Sequence, residues 1–291
     1  MKKFELTTES ITFLDRTLFR IKALISFGSV KEGELGGYIE KEENLSHEGN
    51  AWVYGNAKVC DNAWVYGNAR VYGDAEVYGN AWVYGNAEVY GNAWVCDKAE
   101  VCGDAKVCGD AKVYGNARVY GNAWVCDKAR VYGNARVYGD AKVCGNTEVY
   151  GNAEVYGNAW VCGNARVCDN AWVYGDAEVY GNAEVYGNAW VCDNANVCGN
   201  AEVYGDAEVY GDARVCGDAD IATISGFGRK YRTTTFFRTN DNDIFVKCGC
   251  FCGTLDEFRK KVKETHGDNK YAKEYLMIAD LMEMRFRGEK E

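Results

Sequence analysis

Gly49-Asn50-Ala51-Trp52-Val53-Tyr54-Gly55-Asn56-Ala57-Lys58-Val59-Cys60 is two copies of one six-residue unit, and that unit recurs 29 times without insertion or deletion from Gly49 to Ala222. The pattern is Gly/Asp, Asn/Asp, Ala, x, Val, Tyr/Cys. The third slot is Ala in every unit except at Thr147, and the fifth is Val in every unit except the last, Ile221. Ala-x-Val-Tyr alternates, so Ala and Val share one face while x and Tyr/Cys share the other, which is the strand period of two. Gly-Asn or Gly-Asp then supplies residues that tolerate positive φ and turn the chain. A helix is excluded, because a Val every six residues scatters around a 3.6-residue period and Gly and β-branched residues are poor helix formers.

One unit cannot bury its Val alone. Stacked coils can, by laying Val on Val and Ala on Ala. Two units per coil leave little interior, whereas three make a triangular prism that Ala and Val can fill. The predicted architecture is therefore mainly β: a three-sided parallel β-helix of 18 residues per coil and about ten coils. Charges in slot x give this register weak support, since Glu88 then falls between Arg70 and Lys106. The absence of Pro fits a ladder in which every strand N–H is needed.

With Ala51/Val53, Ala57/Val59, Ala63/Val65 and their successors in view, the block resembles the parallel β-helix of hexapeptide-repeat proteins. That resemblance implies a left-handed coil in preference to a right-handed one, although bactofilin-type polymer-forming proteins build right-handed three-sided coils. The repeat and its flanks also resemble GNAxVY-repeat proteins of clostridial phages and prophages. Some of these are labelled polymer-forming cytoskeletal proteins, and no activity carries over from them.

Three segments follow: residues 1–48 as an N-terminal β cap with a lead-in coil at Gly36-Gly37-Tyr38-Ile39, 49–222 as the solenoid, and 223–291 as a C-terminal β-hairpin plus two-helix module. Exposed edge strands invite polymerisation, so both ends are expected to act as caps. Lys3–Thr8 and Arg16–Ile25 read as strands. Thr233–Thr239 and Asp243–Cys252 read as a hairpin. Thr254-Leu255-Asp256-Glu257 reads as a capping box opening a helix to about His266, and Asp268 as the cap of a second helix from Lys270 to about Arg287.

Composition narrows the function. The chain has 291 residues, a net charge of −10, 14 Cys and no apolar run of membrane-spanning length. The start carries two Lys without an apolar stretch behind them, which points to the cytosol, the host's if the protein is phage-encoded, and there the cysteines are expected to be thiols. An acidic chain argues against direct nucleic-acid binding. The repeats total −11 and residues 223–291 total +3. Acidic corners bring DNA mimicry to mind, but much of the corner set is neutral Asn.

Hexapeptide acyltransferases use a catalytic His and a loop extruded from a coil. These repeats have neither, and only His47 and His266 exist, both outside the repeats. The expectation is a protein that is not an enzyme and needs no cofactor. Cys248-Gly249-Cys250-Phe251-Cys252, read as one strand, would line up three thiols that with His266 could bind zinc, or could simply pack as small hydrophobes. Cys108, Cys126, Cys144 and Cys162 would form one column.

All eight Trp occupy slot x and 17 of the 21 Tyr occupy slot six, so both are expected to point outward. Soluble monomers seldom expose so much aromatic surface. Trp64/Trp82 and Trp172/Trp190 would be vertical pairs on one face, with Trp124 and Trp160 further candidates for contact with a protein partner or a second copy. Tyr ladders that only stabilise the stack are the competing reading. The leading expectation is a scaffold or binding protein. Sequestration of a host ligand or protein as a phage counter-defence factor is the rival.

Overall fold

The computed structural model describes residues 2–287. The repeats form a parallel β-solenoid, with strands β4–β31 of two residues each running from Trp52–Val53 to Arg214–Val215. The chain divides into two compact units, Met1–Asn158 and Ala159–Glu291.

In the first unit the three faces are β5-β8-β11-β14-β17-β20, β4-β7-β10-β13-β16-β19 and β6-β9-β12-β15-β18-β21. Each strand pairs with the one three units on, as in Glu88↔Lys106 and Val89↔Val107, so a coil is 18 residues long. The second unit repeats the scheme, with Trp160↔Glu178 and Arg166↔Glu184. The repeat Ala and Val side chains fill the interior and are buried from Ala51 to Val215. Backbone bonds join successive coils at three points per unit: Asn86 N–H donates to Gly103 O at 2.8 Å, Glu88 N–H to Ala105 O at 2.9 Å and Tyr90 N–H to Val107 O at 2.9 Å. Asn side chains add an outer ladder, Asn50 to Asn68 to Asn86, each at 3.0 Å.

The corners explain the Gly/Asp alternation. Corner glycines cluster near φ +71°, and Asp61, Asp97, Asp127 and Asp169 hold the same corner at φ +60°. Each Asp carboxylate accepts the N–H of the next coil's corner, for example Gly79 N–H on Asp61 at 3.1 Å and Gly115 N–H on Asp97 at 3.0 Å. Thus Asp pays part of its left-handed strain with a bond that Gly cannot make. Every corner Asp in slot one follows a Cys, and nothing in the structure explains that pairing.

At the N-terminal end β1 (Phe4–Phe13), β2 (Arg16–Ala23) and β3 (Leu35–Ile39) form an antiparallel sheet. β3 then pairs in parallel with β5, so the Gly36-Gly37-Tyr38-Ile39 lead-in is present. Lys3 is 1% exposed, and its ammonium donates to Ala51 O at 2.9 Å. Burial lowers its pKa to about 8. Phe4 and Phe27 pack edge-on against Trp52. Trp52 is consequently fully buried, a correction to the expectation that all eight Trp face outward.

In the second unit the last repeat leaves the coil. Asp218–Asp220 is a 3-10 turn and Ile221 begins β32 (Ile221–Phe227). β32, β33 (Arg232–Arg238), β34 (Ile244–Cys248) and β35 (Phe251–Thr254) form an antiparallel sheet. Asn240 N–H donates to Asp212 O, and Tyr210 packs edge-on against Phe237, so this sheet covers the final coil. Helix α1 (Leu255–His266) starts at the predicted Thr254/Glu257 capping box. Helix α2 (Lys270–Arg287) is capped by Asn269, not Asp268: its Oδ1 accepts the N–H groups of Tyr271 and Ala272.

Three further expectations change. Asp243–Cys252 is two strands, because Gly249 at φ +60° turns the chain and pairs Cys248 with Phe251. The three thiols of that segment therefore do not share one extended face. Finally, Cys198 and Cys216 form a disulfide, whereas all cysteines were expected as thiols. Adjacent coils bring those Cα atoms to 4.4 Å, within disulfide reach.

Candidate functional site

The outward aromatics divide into two kinds. Tyr rings stack face to face along the columns: Tyr66 on Tyr84 and Tyr72 on Tyr90 at 4.8 Å, and Tyr114, Tyr132 and Tyr150 at 4.9 Å steps. They are half-buried, and some hydroxyls bond the carboxylate of the adjoining coil, as Tyr138 does with Glu154 at 2.8 Å. Burial, followed by the Glu88 carboxylate, pushes the Tyr72 hydroxyl up to about 12. These rings are spent on the stack, as cross-strand aromatic pairs usually are.

The tryptophans remain more available. Trp64 and Trp82 are 39% and 44% exposed and meet edge to face at 6.3 Å on the face formed by β6 and β9. Trp64 also stacks on Tyr66 at 4.1 Å, which fixes its ring. A hollow of about 260 Å³ lies against both indoles, lined also by Lys41, Glu43 and Asn62. A second hollow of about 360 Å³ also borders Trp82, with Asn62, Asn80, Lys98 and Glu100. Trp82 thus lines two depressions whose rims carry both charges. In the second unit Trp172 and Trp190 stack in parallel at 5.3 Å, leaving Trp190 39% exposed and Trp172 half-buried. Trp124 and Trp160 are exposed, and they lie on the faces of β16 and β22. Trp94, absent from the sequence-based candidates, is 38% exposed, and Lys112 sits 3.8 Å over its ring.

Slot x charges pair between coils as the register requires. Lys58–Glu76 at 3.3 Å, Arg136–Glu154 at 3.2 Å and Arg166–Glu184 at 3.1 Å are examples. Exposed pairs of this kind contribute about 0–1 kcal/mol each, so they adjust the stack rather than hold it. Lys112 stacks on Arg130 and Glu184 on Glu202, like charges that the hydrogen-bonded core outweighs.

The histidines are placed as packing residues. His47 stacks on Phe4 at 4.3 Å and its Nδ1 accepts the Lys3 N–H at 3.2 Å. His266 stacks against Tyr275 at 5.9 Å. Neither imidazole hydrogen-bonds a hydroxyl or thiol among the described residues. Of the proposed zinc set, Cys248, Cys250 and His266 border one cavity, while Cys252 lies outside its lining and contacts Tyr210. Among the described residues, the group of potential ligand atoms close enough to share an ion is Cys126, Asp127 and Cys144, within 4.8 Å of one another. The Asp127 carboxylate there already accepts the Gly145 N–H at 3.1 Å. In the same column the neighbouring Cys126 thiol, followed by the Trp124 indole N–H that donates to Cys108 Sγ at 3.1 Å, holds the Cys108 thiol below the ordinary thiol range. Among the described residues no helix is long and apolar enough to cross a membrane.

Residues 63–79, 69–85, 111–127, 129–145 and 159–175 match a family model described as YdcK Beta solenoid repeat. No curated protein matches the chain.

Proposed function

We propose that this β-solenoid is a non-enzymatic binding scaffold that engages a protein partner through the Trp64/Trp82 face. The observation that carries this reading is the pair of half-exposed indoles that line one hollow together, with Trp82 lining a second, on a face whose backbone is fixed by the hydrogen-bonded ladder. Rigid aromatic anchors beside pockets are the usual energetic centres of protein interfaces, where truncation costs 2 kcal/mol or more. The Tyr columns support the face and are not themselves the contact, since their rings are already stacked. Trp172/Trp190 is a weaker candidate, because Trp172 is half-buried and only Trp190 matches the exposure of Trp64.

The resemblance to phage-borne repeat proteins adds a phage or prophage origin and a host cytoplasm as the place of action. The test is affinity capture from the host, comparing the native chain with Trp64→Ala/Trp82→Ala and with Trp124→Ala/Trp160→Ala. The reading expects the first pair to abolish capture and the second to preserve it. Unchanged capture by the first pair overturns it. Mass measurement in solution separates a foreign partner from a second copy of the chain.

A further inference from the structure

The C-terminal module holds a cavity of about 350 Å³ that the scaffold reading does not use. Its construction starts from two glycines. Gly228, at φ +71°, ends β32, and a Cβ there would lie 2.0 Å from the Tyr275 hydroxyl. Gly249, at φ +60°, turns β34 into β35, and a Cβ there would lie 2.1 Å from an Arg232 guanidinium nitrogen. A side chain at 228 would run into the Tyr275 ring, and one at 249 would displace the end of the Arg232 side chain. Gly228 N–H donates to Glu274 at 3.0 Å, tying the β32–β33 turn to α2.

The lining has two chemistries. Phe251, Phe258, Val262 and Tyr275 supply an apolar wall, with Phe258 edge-on to Tyr275 at 5.7 Å and tilted against Phe251 at 5.5 Å. Arg229, Lys230, Arg232 and Lys261 bring four cations to the rim, and no carboxylate lines the cavity. Among the described residues Arg229, Lys230 and Arg232 form no ion pair, while Lys261 meets Glu264 at 3.4 Å. Three cations without an ion-pair partner around one hollow focus a positive potential on whatever enters, with the Glu274 carboxylate held aside on the Gly228 N–H. A guanidinium fork suits a phosphate or carboxylate, and a ring wall suits a flat body. The volume is at the small end of ligand sites.

We infer that this cavity binds a small organic oxyanion with a flat apolar body, of nucleoside monophosphate size or below, with Arg229, Lys230 and Arg232 holding the oxyanion and Phe251, Phe258 and Tyr275 facing the ring. The inference stands apart from the Trp64/Trp82 reading, so either can fail alone.

Calorimetric titration of the full chain with AMP, UMP, phenyl phosphate, benzoate, inorganic phosphate and neutral adenosine tests it. The expected result is saturable binding of at least one ring-bearing anion, with inorganic phosphate and adenosine each about tenfold weaker or more, the scale of one charge-assisted hydrogen bond. Phosphates against benzoate decide which oxyanion is preferred. Arg229→Gln and Arg232→Gln, both at exposed positions, should each weaken binding by a similar factor while the far-ultraviolet spectrum is unchanged. Absence of saturable binding by every anion overturns the inference, as does adenosine binding as tightly as AMP or unaltered binding in both Arg variants.

Discussion

Replacing a corner glycine tests the stacking geometry at one atom. At Gly85, φ is +71° and an added Cβ would lie 2.9 Å from Gly103 N and 3.0 Å from Gly103 O, both backbone atoms of the next coil. At Gly205, φ is +66° and nothing lies within 4 Å. Both substitutions to Ala incur left-handed strain of about 1–2 kcal/mol. Reduced freedom of the unfolded chain returns about 0.4–1 kcal/mol at each. Gly85→Ala alone must also shift backbone, an overpacking cost of about 1–3 kcal/mol. The difference between the two variants is therefore about 2 kcal/mol.

Gly85→Asp is the informative third variant. Asp97 shows that such a corner settles at φ +60° with its carboxylate bonded to the next coil. That exposed bond should return about 1 kcal/mol, so the larger side chain should be the less harmful one. Because repeat arrays depart from two-state unfolding, the assay is amide hydrogen exchange read locally around the substituted coil. The expected order of local opening is Gly85→Ala above Gly85→Asp, with Gly205→Ala mildest. Equal opening at Gly85→Ala and Gly205→Ala, or Asp worse than Ala, refutes the corner account.

Four other outcomes follow from the same geometry. Trp52→Ala should destabilise the N-terminal sheet by about 3–5 kcal/mol, as buried aromatic truncations do, while Trp160→Ala should change melting little; thermal unfolding distinguishes them. Stability should fall as pH rises from about 10 toward 12, because unfolded tyrosines ionise there while Tyr72 and its stacked neighbours keep their protons; Tyr72→Phe should flatten the slope of melting temperature against pH. Thiolate absorbance should appear below the ordinary thiol range in the native chain and move upward in Cys126→Ala, since the Cys126 thiol stabilises the Cys108 thiolate; by linkage that contribution is present above the ordinary thiol pKa and lost as pH falls through the depressed one. Thiol titration of the denatured, unreduced chain should find 12 free thiols, Cys198 and Cys216 being the missing pair; finding all 14 contradicts the disulfide.

The coil was readable because everything that determines it lies within six residues: alternation sets the faces, Gly-Asn sets the corner, and Val on Val sets the stack. What the sequence left hidden is non-local. Trp52 has the same neighbours in sequence as Trp64, yet the sheet carrying Phe4 and the loop carrying Phe27 cover only the first coil. The turn inside Cys248–Cys252 had a visible signal, a glycine in mid-strand, which marks a bend more often than a continuous ladder. The cationic cavity had none, since Arg229, Lys230 and Arg232 reach Lys261 only when α1 packs back on the sheet. The Trp64/Trp82 pairing was legible from the 18-residue register alone, while the hollow against both indoles needed Lys41 and Glu43 from the N-terminal segment.

The most direct test of the scaffold account is a hydrogen-exchange footprint of the captured complex. The account predicts that partner binding adds protection at the coils carrying Asn62–Trp64 and Asn80–Trp82 and at Lys41–Glu43, with the Tyr114–Tyr132–Tyr150 column unchanged. Protection confined to the Tyr column, or to coils remote from both indoles, contradicts it.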